Sequence, residues 1–111
     1  MKCRLAVSGN MLTAYLDGEI DHHSVQPVRE SIDNAIDRNQ PNSLVLDFSD
    51  VTFMDSSGIG LIMGRFRETS RLDAQLYIFN PQPQIEKLLR IAGMDKLAKI
   101  QTNGKKGKYK R

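Results

Sequence analysis

The fold class that this sequence predicts is α/β: a mixed sheet of about four to five strands with α-helices packed on one face. Three observations carry that expectation. The apolar segments succeed one another as ββαβαβαβ, an alternation that builds a sheet covered by helices. Leu44, Val45, Leu46 and Phe48 form a run apolar enough for a strand buried on both faces. Right-handed crossovers between parallel strands then place the helices of neighbouring units on the same face.

Taken in order, residues 3–8 and 11–17 read as two strands joined by the tight-turn signal Gly9-Asn10, a hairpin. Gly18-Glu19-Ile20-Asp21-His22-His23 leads into a helix whose apolar stripe is Val25, Val28, Ile32, Ala35 and Ile36. Pro27 fits only in a first turn, which places the start near Ser24, and Asn39-Gln40-Pro41-Asn42 ends it. The buried strand and a short polar loop follow. Asp55-Ser56-Ser57-Gly58 then supplies capping side chains just before a second periodic segment. Residues 74–79 read as a further strand, and Asn80-Pro81-Gln82-Pro83 breaks the chain before a third helix with Ile85, Leu88, Leu89 and Ala92 as its apolar repeat. Gly93 stands where a C-terminal cap belongs, and Leu97–Ile100 suits a short last strand. One domain over residues 1–100 is expected, with residues 101–111 a basic, disordered tail whose only apolar residue is Tyr109.

Composition narrows the function. Of 111 residues, 40% are hydrophobic and 26% charged, as in a soluble globular domain. The single cysteine, Cys3, has no internal partner, and no signal peptide or long apolar span is visible, so a cytosolic protein with no membrane contact is expected. The net charge of +3 misleads. Lys105, Lys106, Lys108, Lys110 and Arg111 supply five of the sixteen basic residues; without them 11 basic face 13 acidic residues, a net of −2. A mildly acidic domain of this kind argues against direct DNA binding.

No Gly-x-Ser-x-Gly elbow surrounds Ser56 or Ser57, and no phosphate-binding Gly-x-x-x-x-Gly-Lys loop is present. His22 and His23, the only histidines, are adjacent and expected to point in different directions, unsuited to holding a metal together. No catalytic, metal or cofactor site is therefore expected. The second helix is the informative one. At about 100° per residue, Ile59, Ile62, Met63 and Phe66 fall on one side and form the expected core stripe, while Ser57, Gly60, Leu61, Gly64 and Glu68 fall on the other. Each helical glycine costs about 1 kcal/mol relative to alanine. The glycines are either tolerated or mark a bare surface that another backbone or a ligand approaches, with Leu61 adding exposed apolar area. The serine pair is likewise open to two readings: plain helix capping, or a helix start compatible with phosphate. Phosphorylation there adds roughly −1.5 to −2 charges beside Asp55, and near Asp21 if the loops converge.

Phe53-Met54-Asp55-Ser56-Ser57-Gly58-Ile59-Gly60-Leu61-Ile62-Met63-Gly64-Arg65, with Gly18-Glu19-Ile20-Asp21-His22-His23, resembles the anti-sigma factor antagonists of the STAS family. The likeness spans residues 3–100 and includes Leu88-Leu89-Arg90-Ile91-Ala92-Gly93-Met94. It implies a STAS fold and a partner switch without catalysis of its own. The unphosphorylated antagonist binds an anti-sigma factor that is also an ATP- or ADP-bound serine kinase, and frees a sporulation sigma factor. Phosphorylation of the first motif serine, here Ser56, blocks this, and a metal-dependent serine phosphatase restores it. The resemblance assigns Asp21 to the partner-binding surface, and the expected remainder is Asp55, Ser57, Gly60, Leu61, Gly64 and Arg65. On the helical wheel Ser57, not Ser56, is centred on the glycine stripe, so Ser57 is expected to make a contact. The basic tail departs from the family pattern. Competing readings are an antagonist of the general-stress type for another sigma factor, and a stand-alone STAS module binding a nucleotide or small ligand at the same helix start.

Overall fold

The structure, a computed structural model, describes residues 1–102. Its elements are β1 (Lys2–Ser8), β2 (Met11–Ile20), α1 (Val25–Asn39), β3 (Ser43–Met54), α2 (Ser56–Arg71), β4 (Gln75–Phe79), α3 (Pro83–Ile91), a 3₁₀ turn (Met94–Lys96) and β5 (Lys99–Gln101). The five strands lie in sequence order, β1-β2-β3-β4-β5. β1 and β2 are the predicted antiparallel hairpin, with Ser8 opposite Met11 across Gly9-Asn10, and every later pairing is parallel.

The register explains where the core sits. Leu12, Leu44 and Leu76 stand side by side on adjacent strands, as do Ala14, Leu46 and Ile78. Because strand side chains alternate, these rows share one face, and they join one core with Val25, Val28, Ile32, Ala35 and Ile36 of α1, Leu61 and Ile62 of α2, and Ile85 and Leu89 of α3. All five residues of the predicted α1 stripe are buried. The other face of the sheet presents Arg4, Tyr15, Asp47 and Phe79 in one row and Ala6, Thr13, Val45 and Tyr77 in the next. Arg4 stacks over the Tyr15 ring at 4.1 Å, a cation–π contact.

Three expectations need correction. Residues 49–54 are not a polar loop but the second half of β3, paired with β2 as far as Ile20↔Met54. The register shifts between Tyr15 and Asp17 and again between Gly18 and Glu19, and each inserts an extra β3 residue. Core positions therefore pass from Phe48 to Val51 to Met54, and the broken alternation hides the strand from a period-2 reading. Gly18, at φ 108°, accommodates the irregularity in a conformation that other residues rarely adopt. In α3 only Ile85 and Leu89 are buried, while Leu88 and Ala92 face outward. This nine-residue helix rests mainly on the 3₁₀ turn rather than on the sheet. His22 and His23 do not diverge: their rings lie 4.1 Å apart, because both occupy a turn, where the alternation of a strand does not apply.

Gly93 adopts φ 82° just past α3, the left-handed position of a helix C-terminus. β5 runs through Gln101, one residue beyond the expected domain boundary. The tail expected to be disordered lies, apart from Gln101 and Thr102, outside the described residues.

Candidate functional site

Two helix starts meet at one end of the sheet, where the interior strands β2 and β3 finish. β2 and β3 are parallel neighbours and end together at Ile20↔Met54, so Asp21 and Asp55, the next residues, emerge side by side. The Asp55 N–H donates to the Ile20 carbonyl at 3.1 Å, tying the entry of α2 to the exit of β2. The expected convergence of Asp21 with Asp55 is therefore a consequence of strand register.

Each aspartate organises its own helix start. Asp55 is the N-cap of α2: its Oδ1 accepts the Ser57 N–H at 2.8 Å, and its carbonyl accepts the Gly58 N–H at 3.0 Å. Asp21 serves α1 from three residues before the cap position. Its Oδ1 accepts the Ser24 hydroxyl at 3.0 Å, the Ser24 N–H at 3.0 Å and the His23 N–H at 3.1 Å. The Ser24 hydroxyl bond, followed by the Ser24 and His23 N–H groups, holds the Asp21 carboxyl below the usual carboxylate range. It is an anion at neutral pH.

The face that α2 shows to solvent runs through Ser56, Gly60, Met63 and Arg67, at spacings of four, three and four. Ser56 is exposed at the first helical position, and a Cβ at Gly60 would meet nothing within 4 Å. Ser57 is half-buried and gives its N–H to Asp55. The wheel that centred Ser57 on the glycine stripe is thus out of phase, and the structure puts Ser56 in line with Gly60.

The same rotation corrects the rest of the predicted stripe. The buried side of α2 is Gly58, Leu61, Ile62, Gly64, Arg65 and Thr69. Leu61 is fully buried and lies in the core, so it presents no exposed apolar area. Met63, expected in the core, is 43% exposed, and Ile59 and Phe66 are half-buried at its margin. Gly58 lies on the core side of α2, and a Cβ there would collide with the Met54 side chain. Gly64 is buried, although a Cβ there would meet only the end of Arg67, at 3.8 Å.

Arg65 is no surface contact. It is 4% exposed, and its guanidinium faces Asp33 of α1, with Nη2 donating to Oδ2 at 3.2 Å and Nε 2.9 Å from Oδ1. The Nε contact is close but poorly aligned, so it is a charge pairing rather than a hydrogen bond; Nη1 has no acceptor among the described residues. Loss of water pushes the Asp33 carboxyl up and the Arg65 guanidinium down, each opposed by the other's charge. A buried arginine paired with Asp33 holds α1 to α2 and is not presented to a partner.

Asp21, Asp55, Ser56, Ser57 and Gly60 therefore share one surface, whereas Leu61 and Arg65 point away from it. The sequence reading missed three surface residues of that region. Phe53 is 49% exposed at the end of β3, and Met63 and Arg67 extend the face one and two turns beyond Gly60. The available signal was the exposed spacing 56, 60, 63, 67, which an apolar-residue wheel cannot register because Met63 counts as core.

Comparisons with known proteins identify the family and agree with the fold. The family model of the STAS domain matches residues 2–106. An anti-sigma F factor antagonist of Paenibacillus polymyxa is 36% identical over 93 residues, covering 84% of this chain and 80% of the relative. The unphosphorylated form of the anti-sigma factor antagonist SpoIIAA superposes with a TM-score of 0.79 at 30% identity, over 92% of this chain and 90% of that one. The phosphorylated form of SpoIIAA, a cell fate determinant of Bacillus, superposes with a TM-score of 0.72 at 31% identity, over 92% and 93%.

Proposed function

This chain belongs to the STAS domain family, and from that premise we propose the following account of its partner switch. The protein is an anti-sigma factor antagonist of the SpoIIAA type, a regulator that acts by binding an anti-sigma factor. The sigma factor released is the one controlling sporulation, in keeping with the F-factor relative. The partner is a serine kinase carrying ATP or ADP, and it phosphorylates Ser56; a metal-dependent phosphatase removes the phosphate. The protein works where those partners are, in the cytoplasm.

The observation that carries the assignment to Ser56 is its exposure at the first position of α2, on the line of Gly60, Met63 and Arg67. A kinase reaches this hydroxyl without unfolding the helix. The phosphate then adds roughly −1.5 to −2 charges to a surface that already holds the Asp21 and Asp55 carboxylates. A partner that accepts the unmodified surface meets like-charge repulsion and a bulky group after modification. Gly60 keeps the helix backbone open to a close approach, and Asp21, Asp55 and Ser57 complete the contact.

The stand-alone ligand module draws less support. It needs the start of α2 as an anion site, but the N–H groups of Ser57 and Gly58 are already taken by Asp55. Titration of the purified protein with the anti-sigma factor of its own organism, with ADP and then with ATP, tests the proposal. A complex is expected with ADP, and loss of the complex with ATP together with label on the peptide containing Ser56. Ser56→Ala should bind and resist the loss. Label on Ser57 would sink the assignment.

A further inference from the structure

Ser24 stands at the N-cap of α1, yet its side chain does not cap the helix. A capping serine ordinarily turns its hydroxyl forward and accepts an N–H from the second or third helical residue. Here the hydroxyl makes no such bond, and the third helical residue is Pro27, which has no N–H to give. The Ser24 backbone is itself in the helical region, at φ −105° and ψ −12°, rather than in the extended conformation usual for a cap. Helix capping therefore does not account for a hydroxyl at this position.

The side chain points the other way, into the turn that leaves β2. Its Oγ lies 3.0 Å from Asp21 Oδ1 and 3.1 Å from the Glu19 carbonyl, and it accepts the Asp21 N–H at 3.3 Å. One hydroxyl has one proton to donate, and of the two acceptors the charged carboxylate makes the stronger bond. With the Ser24 and His23 N–H groups, three donors converge on Oδ1. Asp21 Oδ2 has no partner among the described residues. A carboxylate pinned by one oxygen presents the other in a fixed direction, open to a donor from outside. Its rotamer freedom is already gone in the free protein, so that entropy is not lost again on binding.

We propose that Ser24 is a positioning residue of the partner switch: its hydroxyl orients the Asp21 carboxylate so that Oδ2 is presented to the anti-sigma factor. The inference rests on the reading of Asp21 as a partner contact. Of the three bonds to Oδ1, two come from main-chain N–H groups that any residue at positions 23 and 24 other than proline supplies. Only the third depends on the Ser24 side chain, which is half-buried and acts through Asp21.

The test titrates the full chain with the anti-sigma factor of its own organism in the presence of ADP, comparing wild type with Ser24→Ala, Ser24→Thr, Asp21→Ala and the double variant Ser24→Ala/Asp21→Ala. Urea denaturation first establishes that each free variant is folded. Ser24→Ala should weaken binding about tenfold, the effect of one hydrogen bond to a charged group, and Ser24→Thr, which keeps the hydroxyl, should restore it. In the Asp21→Ala background Ser24→Ala should have no further effect, the mark of two residues acting as one. NMR titration of the free protein should place the Asp21 carboxyl higher in Ser24→Ala than in wild type or Ser24→Thr. Equal weakening by Ser24→Ala with and without the Asp21 carboxylate would overturn the proposal, since the hydroxyl would then act on folding alone. Full affinity in Ser24→Ala beside weak binding by Asp21→Ala would also overturn it while keeping Asp21 as a contact. Full affinity in Asp21→Ala would remove the contact itself, and the positioning role with it.

Discussion

α1 and α2 cover the same face of the same sheet and have nearly the same length, yet one is legible residue by residue and the other is not. In α1 the apolar residues are confined to the buried side, apart from Pro27 in its first turn; the rest are charged or polar. Its phase has one solution. α2 carries Ile59, Leu61, Ile62, Met63 and Phe66 around most of its circumference, and several phases satisfy an apolar count equally well. The structure selects the phase that buries Leu61 with Arg65 and exposes Met63 with Gly60. A helix that only packs separates its two faces cleanly; under the proposed function α2 also receives a partner, and its outer face carries Gly60 and Met63.

The sharpest way to break this comparison is a pair of truncations on α2. Leu61→Ala should destabilise the free protein by about 2–5 kcal/mol, as for a fully buried leucine, whereas Met63→Ala should cost less than about 1 kcal/mol. Urea denaturation reads both, and equal costs would mean that the helix phase described above is wrong. The glycines offer a contrast of the same kind. Gly60→Leu should leave folding neutral or improve it by up to about 1 kcal/mol, yet weaken binding of the anti-sigma factor by more than a hundredfold, about 3 kcal/mol. Gly58→Ala should do the reverse, costing about 1–3 kcal/mol of stability through its clash with Met54. Unchanged affinity of Gly60→Leu would place the partner on another face.

The contact between the helices is a smaller lever. Asp33→Ala strands the buried Arg65 guanidinium, and a fully buried pair broken in this way costs about 3–5 kcal/mol. The Asp33 side chain is 35% exposed, so screening reduces the expected loss to about 2 kcal/mol. Restoring most of it with Arg65→Met in the same chain would confirm that the stranded charge, not lost packing, carries the cost.

The smallest effects are those of pH, and they have opposite signs at the two aspartates. The folded-state pKa of Asp21 is lowered, so its contribution is present above the unfolded value of about 3.9 and is lost as pH falls through the folded value. That of Asp33 is raised by desolvation despite Arg65 and Arg29, with Glu68 and Asp37 adding to the rise. Its contribution is fully present below the unfolded value and declines as pH rises through the folded one. In denaturation series from about pH 6 to 3, the stability advantage of the wild type over Asp21→Asn should shrink on acidification, while that over Asp33→Asn should grow. Parallel trends would contradict the environments assigned to the two carboxylates.

Local chemistry alone determined much of this protein. Gly9-Asn10 dictates a hairpin, Pro27 and the Val25 to Ile36 spacing dictate α1, Asp55 announces the start of α2, and Gly93 marks the end of α3, because turns, caps and clean amphipathic stripes depend on residues a few positions apart. The motif around Ser56 was also legible, since its side chains sit within one helical turn. What the tertiary structure decided are the features set by distant partners. The second half of β3 exists because β2 pairs with it across two register shifts. Asp21 stands beside Asp55 because β2 and β3 end together. Arg65 is buried because Asp33, thirty-two residues earlier, waits on α1. Ser56 rather than Ser57 faces outward because the packing of α2 against sheet and neighbour selects one rotation among several that its apolar residues, read alone, would allow.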